Sequence, residues 1–108
     1  MDLATFRKLV ALDPNDPLSR FALGKKLWET GEAAEAVEHL QFANVKAPEH
    51  LATYHILAQA LVKLGRFAEA RPVLAEGIRR VAEVGEGRGR DLGPAMTEML
   101  RQIPSKSE

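Results

Sequence analysis

The chain of 108 residues suits one small domain, and a domain of this size needs every element to contribute to its core. Its 15 lysines and arginines balance its 15 aspartates and glutamates, which argues against a surface for nucleic acid or anionic lipid. It contains no cysteine, so disulfides, thiol nucleophiles and cysteine-based metal sites are excluded.

Prolines separate the first two predicted helices. Apolar residues at helical spacing predict a first helix over about residues 2–12, which ends before Pro14 because the residue preceding a proline avoids the α region. Asp16 is a suitable N-cap for a second helix, and Pro17 fits its first position, where a missing N–H costs nothing. This helix is expected to end just before Gly31, a typical left-handed stop.

Three further helices follow with short connections. The third covers about residues 33–46, and the fourth covers about residues 51–64 and is closed by Gly65. The fifth covers about residues 68–84, and Pro72 near its beginning predicts either a late start or a mild kink.

A glycine-rich connector and one more helix complete the chain. The four glycines of residues 85–93 predict flexibility and not a phosphate loop, because no strand precedes them and no phosphate-binding motif is present. The last helix covers residues 94–103 and carries an apolar stripe. No segment alternates as a strand does, so the predicted class is all-α with about six helices.

The second and third helices are repeated by the fourth and fifth. Shifting the sequence by 34 residues aligns identical residues at helical spacings and at the turn, where packing requires them. The aligned pairs are Leu23 and Leu57, Leu27 and Leu61, Gly31 and Gly65, Ala34 and Ala68, Glu35 and Glu69, Ala36 and Ala70, and Leu40 and Leu74. A 34-residue period of two helices resembles the tetratricopeptide repeat (TPR).

Small residues at matching positions support the resemblance. Gly24 and Ala58 would let the two helices of each hairpin approach closely, and Ala36 and Ala70 would fill the narrow side of the crossing.

The chain also departs from the TPR pattern. Arg20 replaces an aromatic residue, and Ala82 replaces the proline of the second copy, so the fifth helix is expected to continue for an extra turn. Phe42 lies off the packing line of the third helix, which predicts either partial burial or a contact on the convex side.

The resemblance implies a right-handed superhelix of α-hairpins in a single domain. The expected divisions of the domain 1–108 are a leading helix (2–14), repeat 1 (17–50), repeat 2 (51–84), the connector (85–93) and a C-terminal helix (94–103). Two repeats are few for a solenoid, so the leading and C-terminal helices are expected to cover its ends. An incompletely covered end would favour self-association.

In the TPR family the first helix of each repeat lines a concave groove that binds proteins or peptides. Alignment transfers this role to Leu18, Phe21, Lys25, Trp28, Glu29, Ala52, His55, Gln59, Val62 and Lys63. Phe21, Lys25 and Trp28 share one helical face, and aromatic anchors often dominate interface energy. The alternative is that Phe21 and Trp28 pack on residues 2–12 or on the C-terminal helix.

No arrangement of residues indicates catalysis. His50 and His55 are five residues apart, which is not the spacing of a helical metal pair, and no nucleophile triad is evident. The chain is therefore predicted to be no enzyme and to hold no metal or cofactor. Arginines cluster near the connector, at Arg79, Arg80, Arg88 and Arg90, but acidic residues interleave, so a solvated segment is favoured over nucleic-acid binding.

The main hypothesis is a cytoplasmic adaptor that binds a peptide or helix in its groove. No apolar run approaches the ~18 residues of a membrane span, and the N-terminus lacks the features of a signal peptide. The alternative is a self-assembling subunit whose groove or ends are covered by its own C-terminal helix or by another copy. Neither nucleic acid nor a membrane is expected as a partner.

Overall fold

The computed structural model describes residues 1–85 and 91–104, and in these ranges the chain forms helices and no strand. The all-α, hairpin-solenoid prediction is confirmed. The helices are α1 (Leu3–Leu12), α2 (Pro17–Glu29), α3 (Ala33–Lys46), α4 (Leu51–Lys63), α5 (Phe67–Val84) and α6 (Leu92–Gln102).

The two hairpins, α2–α3 and α4–α5, close with the same turn. Gly31 and Gly65 have φ values of 90° and 75°, in the left-handed region that favours glycine. The N–H of Glu32 donates to the carbonyl of Leu27 at 2.8 Å, and that of Arg66 donates to Leu61 at 2.8 Å. This Schellman arrangement satisfies carbonyls that the helix end would otherwise leave free, and it reverses the chain within a few residues.

The fifth helix begins within one residue of the predicted start and ends where predicted. Of the two alternatives for Pro72, the late start is wrong, because α5 begins at Phe67 and continues through the proline. A proline in the second turn of a helix removes only one hydrogen bond, which the packing of the apolar face offsets. At its other end α5 reaches Val84 and is 18 residues long, against 14 for α3, as the replacement of the repeat proline by Ala82 indicated.

The core runs between the hairpins and is made mostly of leucines and alanines. Leu27, Leu40, Leu61 and Leu74 are fully buried and join one continuous cluster. Gly24 allows the α2–α3 approach, since a Cβ built on it would lie 2.7 Å from Leu40 Cγ. The close crossing predicted from the small residues is therefore confirmed at this hairpin.

Helices α1 and α6 cover the two ends of the solenoid. Helix α1 packs on α2, and α6 packs on α5 and α4. At the α6 end Met96 is completely buried, and a Cβ on Gly77 would lie 2.8 Å from its Sδ. Gly77 therefore provides the space in α5 that Met96 occupies.

None of the helices described is long and apolar enough to cross a membrane. The predicted cytoplasmic location stays a prediction.

Candidate functional site

Side chains from α2, α4 and α6 surround an open cavity of about 260 Å³. Helices α2 and α6 each contact α4, and the lining residues lie in the C-terminal halves of the three helices. The cavity is lined by Trp28, Gln59, Val62, Lys63 and Met99.

The structure brings together only some of the residues predicted to line the groove. Trp28, Gln59, Val62 and Lys63 meet at the cavity. The other predicted residues lie outside its lining: Leu18, Lys25 and Glu29 are exposed, and Phe21, Ala52 and His55 are half-buried.

The two aromatic residues of α2 have different surroundings. The Phe21 ring meets the His50 ring edge-on, with centroids 4.6 Å apart, at the start of α4. His50 in turn lies with Nδ1 2.8 Å from the Thr53 hydroxyl. Phe21 thus packs against the N-terminus of α4. The sequence predicts that Phe21 lines the groove or packs on residues 2–12 or on the C-terminal helix, so this contact was not foreseen. Trp28, in contrast, lines the open cavity.

The cavity is apolar with a polar edge. Trp28, Val62 and Met99 offer aromatic, branched and thioether surface, which suits an apolar side chain. Gln59 supplies an amide and Lys63 an ammonium group. In residues 1–85 and 91–104 no carboxylate lies within 4.0 Å of the Lys63 ammonium.

Met99 is the cavity residue that the sequence analysis did not assign to the groove. Met99 lies on the apolar stripe of the last helix, so the sequence predicted that it is buried. The sequence did not predict which helices it would contact. The longer α5 and the connector break the 34-residue period, so alignment could not place α6 beside the groove. Because α6 packs on α5 and α4 and the cavity between Trp28 and Met99 is open, α6 forms a wall of the groove and does not fill it.

A polar cluster joins α1, α2 and α3 away from the cavity. Arg20 replaces the family's aromatic residue, and its guanidinium carbon lies 4.3 Å from the centroid of the half-buried Phe42 ring. Arg20 Nη1 lies 3.2 Å from His39 Nδ1. A guanidinium can only donate, so a hydrogen bond here needs this nitrogen to accept, which it does in the neutral ring. Burial, with Arg20 adding to it, lowers the pKa of His39 below its usual value, and Glu35 opposes this.

Part of the predicted basic cluster is neutralised within α5. Arg79 donates to Glu76 and Glu83 at 2.6 Å each, and Arg80 donates to Glu76 at 2.8 Å. The two guanidinium groups lower the pKa of Glu76 to about 2. Arg88 and Arg90 lie outside the described residues. In the described ranges, no group of three or more possible metal ligands comes together.

Burial also lowers the pKa of the His55 imidazole below its usual value. His55 lies on α4, about one helical turn before the lining residue Gln59, and does not itself line the cavity.

Comparisons with known proteins agree with this architecture. A family model described as "Anaphase-promoting complex, cyclosome, subunit 3" matches residues 3–77. A TPR repeat-containing protein of Pseudomonas aeruginosa is 30% identical over 103 residues, which cover 95% of each chain.

Two solved structures from Yersinia enterocolitica have a similar fold. The type III secretion translocator chaperone SycD matches with a TM-score of 0.86 and 22% identity, over 94% of this chain and 68% of that chain. SycD in complex with a peptide of the translocator YopD matches with a TM-score of 0.84 and 22% identity, over 94% of this chain and 76% of that chain. At this identity the likeness shows the fold alone.

Proposed function

Because the chain belongs to the tetratricopeptide-repeat family, we propose that it is a protein-interaction module that holds a segment of a partner protein between α2, α4 and α6. The observation that carries this proposal is the open apolar cavity with Trp28 and Met99 on facing walls. A protein of similar fold, SycD, has been solved with a peptide of its partner, which supports a peptide as the ligand class.

The cavity offers a physical source of affinity. Transfer of one apolar ligand side chain from water into such a site contributes roughly 1.5–3 kcal/mol. Tryptophan is one of the residue types enriched at the energetic centres of interfaces. The helices that carry the lining residues are fixed by the buried core, so the site is largely formed before the ligand arrives.

The proposal is tested by replacing Trp28. Immobilised wild-type protein is expected to capture a partner that Trp28→Ala fails to capture, because the substitution removes the aromatic wall of the cavity. Val45→Ala is the matched control, since Val45 is 77% exposed on α3 and away from the cavity. Circular dichroism should show the same helicity for all three proteins. Equal capture by wild type and Trp28→Ala would show that the ligand binds elsewhere.

Trp28 also provides a direct spectroscopic signal, because it is the single tryptophan of the chain. A ligand that enters the cavity must displace water from the indole, so its emission should shift to shorter wavelength. An unchanged emission spectrum with a saturating, captured partner would contradict the groove assignment even where binding itself is real.

A second candidate, self-association, is favoured by leucines near the α1–α2 connection. Leu12 is 82% exposed and Leu18 is 58% exposed, so two large apolar side chains close in sequence stay uncovered by the rest of the described chain. If these leucines form an interface, Leu12→Ser should convert a dimer to a monomer in light scattering. A monomeric wild-type protein would exclude this candidate. That the chain is no enzyme stays a prediction.

A further inference from the structure

A second apolar cavity of about 270 Å³ adjoins the first. The two cavities share Val62 and Met99, which form the ridge between them. The rest of the second cavity is lined by Phe67, Gln102, Ile103 and Pro104.

The walls of the second cavity are held in place. Ile103 is 8% exposed and belongs to the main core, and Phe67 packs against the same core. The Arg71 guanidinium of α5 donates a hydrogen bond to the Pro104 carbonyl, which ties the end of α6 to α5. The second cavity is therefore part of the folded domain and not a gap beside a loose terminus.

The two cavities adjoin at the Val62–Met99 ridge, so neighbouring side chains of one peptide can reach both. Along the α6 wall, Met99 lines both cavities, and Ile103, about one helical turn further along the chain, lines only the second. Side chains on one face of an extended segment repeat every ~6.6 Å, and those on one face of a helix repeat about every 5.4 Å. A single ligand segment can therefore fill both cavities.

The formal charge among the described residues that line the two cavities is positive. Of the described residues that line either cavity, Lys63 alone carries a formal charge. It also lies in the last turn of α4, where the helix end contributes about half a negative charge. Half a negative charge offsets the ammonium only in part, and no carboxylate of the described residues lies within 4.0 Å of it to form an ion pair.

We propose that the groove selects a peptide segment with two apolar side chains on one face and a carboxylate beside the first of them. The apolar side chains enter the two cavities on either side of the Val62–Met99 ridge, and the carboxylate pairs with Lys63. This inference rests on the proposed groove function and specifies its ligand.

The experiment selects ligands without assuming a partner. A phage-displayed library of short random peptides that lack tryptophan is selected on wild-type protein, and the enriched peptides are synthesised and titrated against Trp28 emission. The expected ligands shift the emission, carry two apolar residues at a spacing that places them on one face, and are enriched in aspartate or glutamate.

Charge substitutions at Lys63 test the carboxylate contact. Lys63→Gln should weaken binding of the selected acidic peptides about threefold to fivefold, as expected for an exposed ion pair, and Lys63→Glu should shift the selection towards lysine and arginine. Lys8→Glu is the matched control: Lys8 is another exposed lysine, on α1 and outside both cavities, and its substitution should leave the selection unchanged.

A filling substitution tests the second cavity without disturbing the core. Gln102 is exposed, so Gln102→Phe can place a ring into the cavity from its edge. It should weaken peptides with two apolar residues roughly tenfold and leave analogues with alanine at the second apolar position unaffected.

The possible outcomes separate the two proposals. Peptides that shift Trp28 emission but show no acidic enrichment, no response to Lys63→Glu or no response to Gln102→Phe would overturn this inference and leave the groove function standing. Selection that yields no peptide able to shift Trp28 emission would overturn the groove function itself.

Discussion

The two ends of the solenoid are covered by helices that attach in different ways. Helix α6 inserts Met96 completely into the fold, against Gly77 and Tyr54, whereas α1 has no buried residue. Helix α1 instead packs half-exposed apolar side chains on α2 and adds an ion pair between Arg7 and Glu35, with 2.6 Å between Nη1 and Oε2.

The difference shows that how firmly a terminal helix is attached depends on how deeply its side chains are buried, and not only on how many of them are apolar. A side chain that fills a notch loses all contact with water and gains contacts on every side. A helix that lies on a surface keeps part of each apolar residue in water, so each contributes less. We therefore expect the α6 end to be the more stable of the two, and the following predictions test this order.

The largest effect is expected for Met96→Ala. The substitution leaves a cavity beside Gly77 and should lower the free energy of unfolding by about 2–4 kcal/mol, measured by urea denaturation. Met99→Ala is the matched control, because Met99 is half-buried in the groove wall and should lose far less. Equal losses for the two methionines would contradict the view that α6 is anchored through Met96.

A smaller effect is expected for Gly77→Ala. The new Cβ would lie 2.8 Å from Tyr54 Cβ as well as from the Met96 sulfur, so the helices must move apart. Overpacking typically costs about 1–3 kcal/mol, which exceeds the gain of about 0.8–1 kcal/mol from the better helix propensity of alanine.

Gly93→Ala provides the comparison for that prediction. Its Cβ would meet Val81 Cγ1 at 3.3 Å, a contact that a small side-chain shift can relieve. A thermal melt should therefore show a loss for Gly77→Ala and little change or a gain for Gly93→Ala. Stabilisation by Gly77→Ala would mean that α5 and α6 are not in close contact.

At the other end, Arg7→Gln should have a smaller effect than Gly77→Ala. The guanidinium lowers the pKa of the Glu35 carboxyl, so the pair stabilises the fold above the usual glutamate value of 4.5 and loses this contribution as the pH falls through the lowered folded value. Both side chains are partly exposed, which limits the effect through solvent screening. Wild type and variant should differ at neutral pH and converge in acid, and a constant difference would exclude the ion pair as the cause.

The smallest expected effect is the pH response of His39. Burial and Arg20 lower its pKa, so the folded state prefers the neutral ring, and stability is highest above the usual value of 6.5. As the pH falls below 6.5 the unfolded chain takes up the proton first, so the free energy of unfolding decreases. His39→Gln should make the free energy of unfolding less dependent on pH below 6.5. The dependence that remains is expected from His55, because burial lowers its pKa too.

Hydrogen exchange locates the response of His39. Because this histidine of α3 contacts Arg20 of α2 and Glu35 of α3, acidification should increase exchange in α2 and α3 before α6. Uniform acceleration along the chain would show that the histidine cluster does not act locally.

Much of the fold was predictable because local chemistry and the repeat point to the same structure. Gly31 and Gly65 mark turns that only a residue without a Cβ adopts readily, and Asp16 with Pro17 opens α2 as predicted. The late start, one of the two alternatives predicted for Pro72, was wrong for a different reason. A proline in an early turn removes only one bond, and the packing energy that keeps such a helix intact is not visible in local sequence.

The groove was predictable only in part. Trp28, Gln59, Val62 and Lys63 follow from the repeat, because equivalent positions of stacked repeats face the same side. Phe21 shares a helical face with Trp28, but periodicity could not show that the start of α4 would meet its ring.

By itself the sequence determined the helices, their turns and the stacking of two hairpins, since these depend on periodicity, glycine and proline and on residues close in the chain. Tertiary structure alone decided where α6 lies, and hence that Met99 completes the cavity and that Gly77 receives Met96. The physical reason is that the repeat ends at the longer α5 and the connector. The position of α6 therefore depends on which surfaces fit together and not on its spacing along the chain.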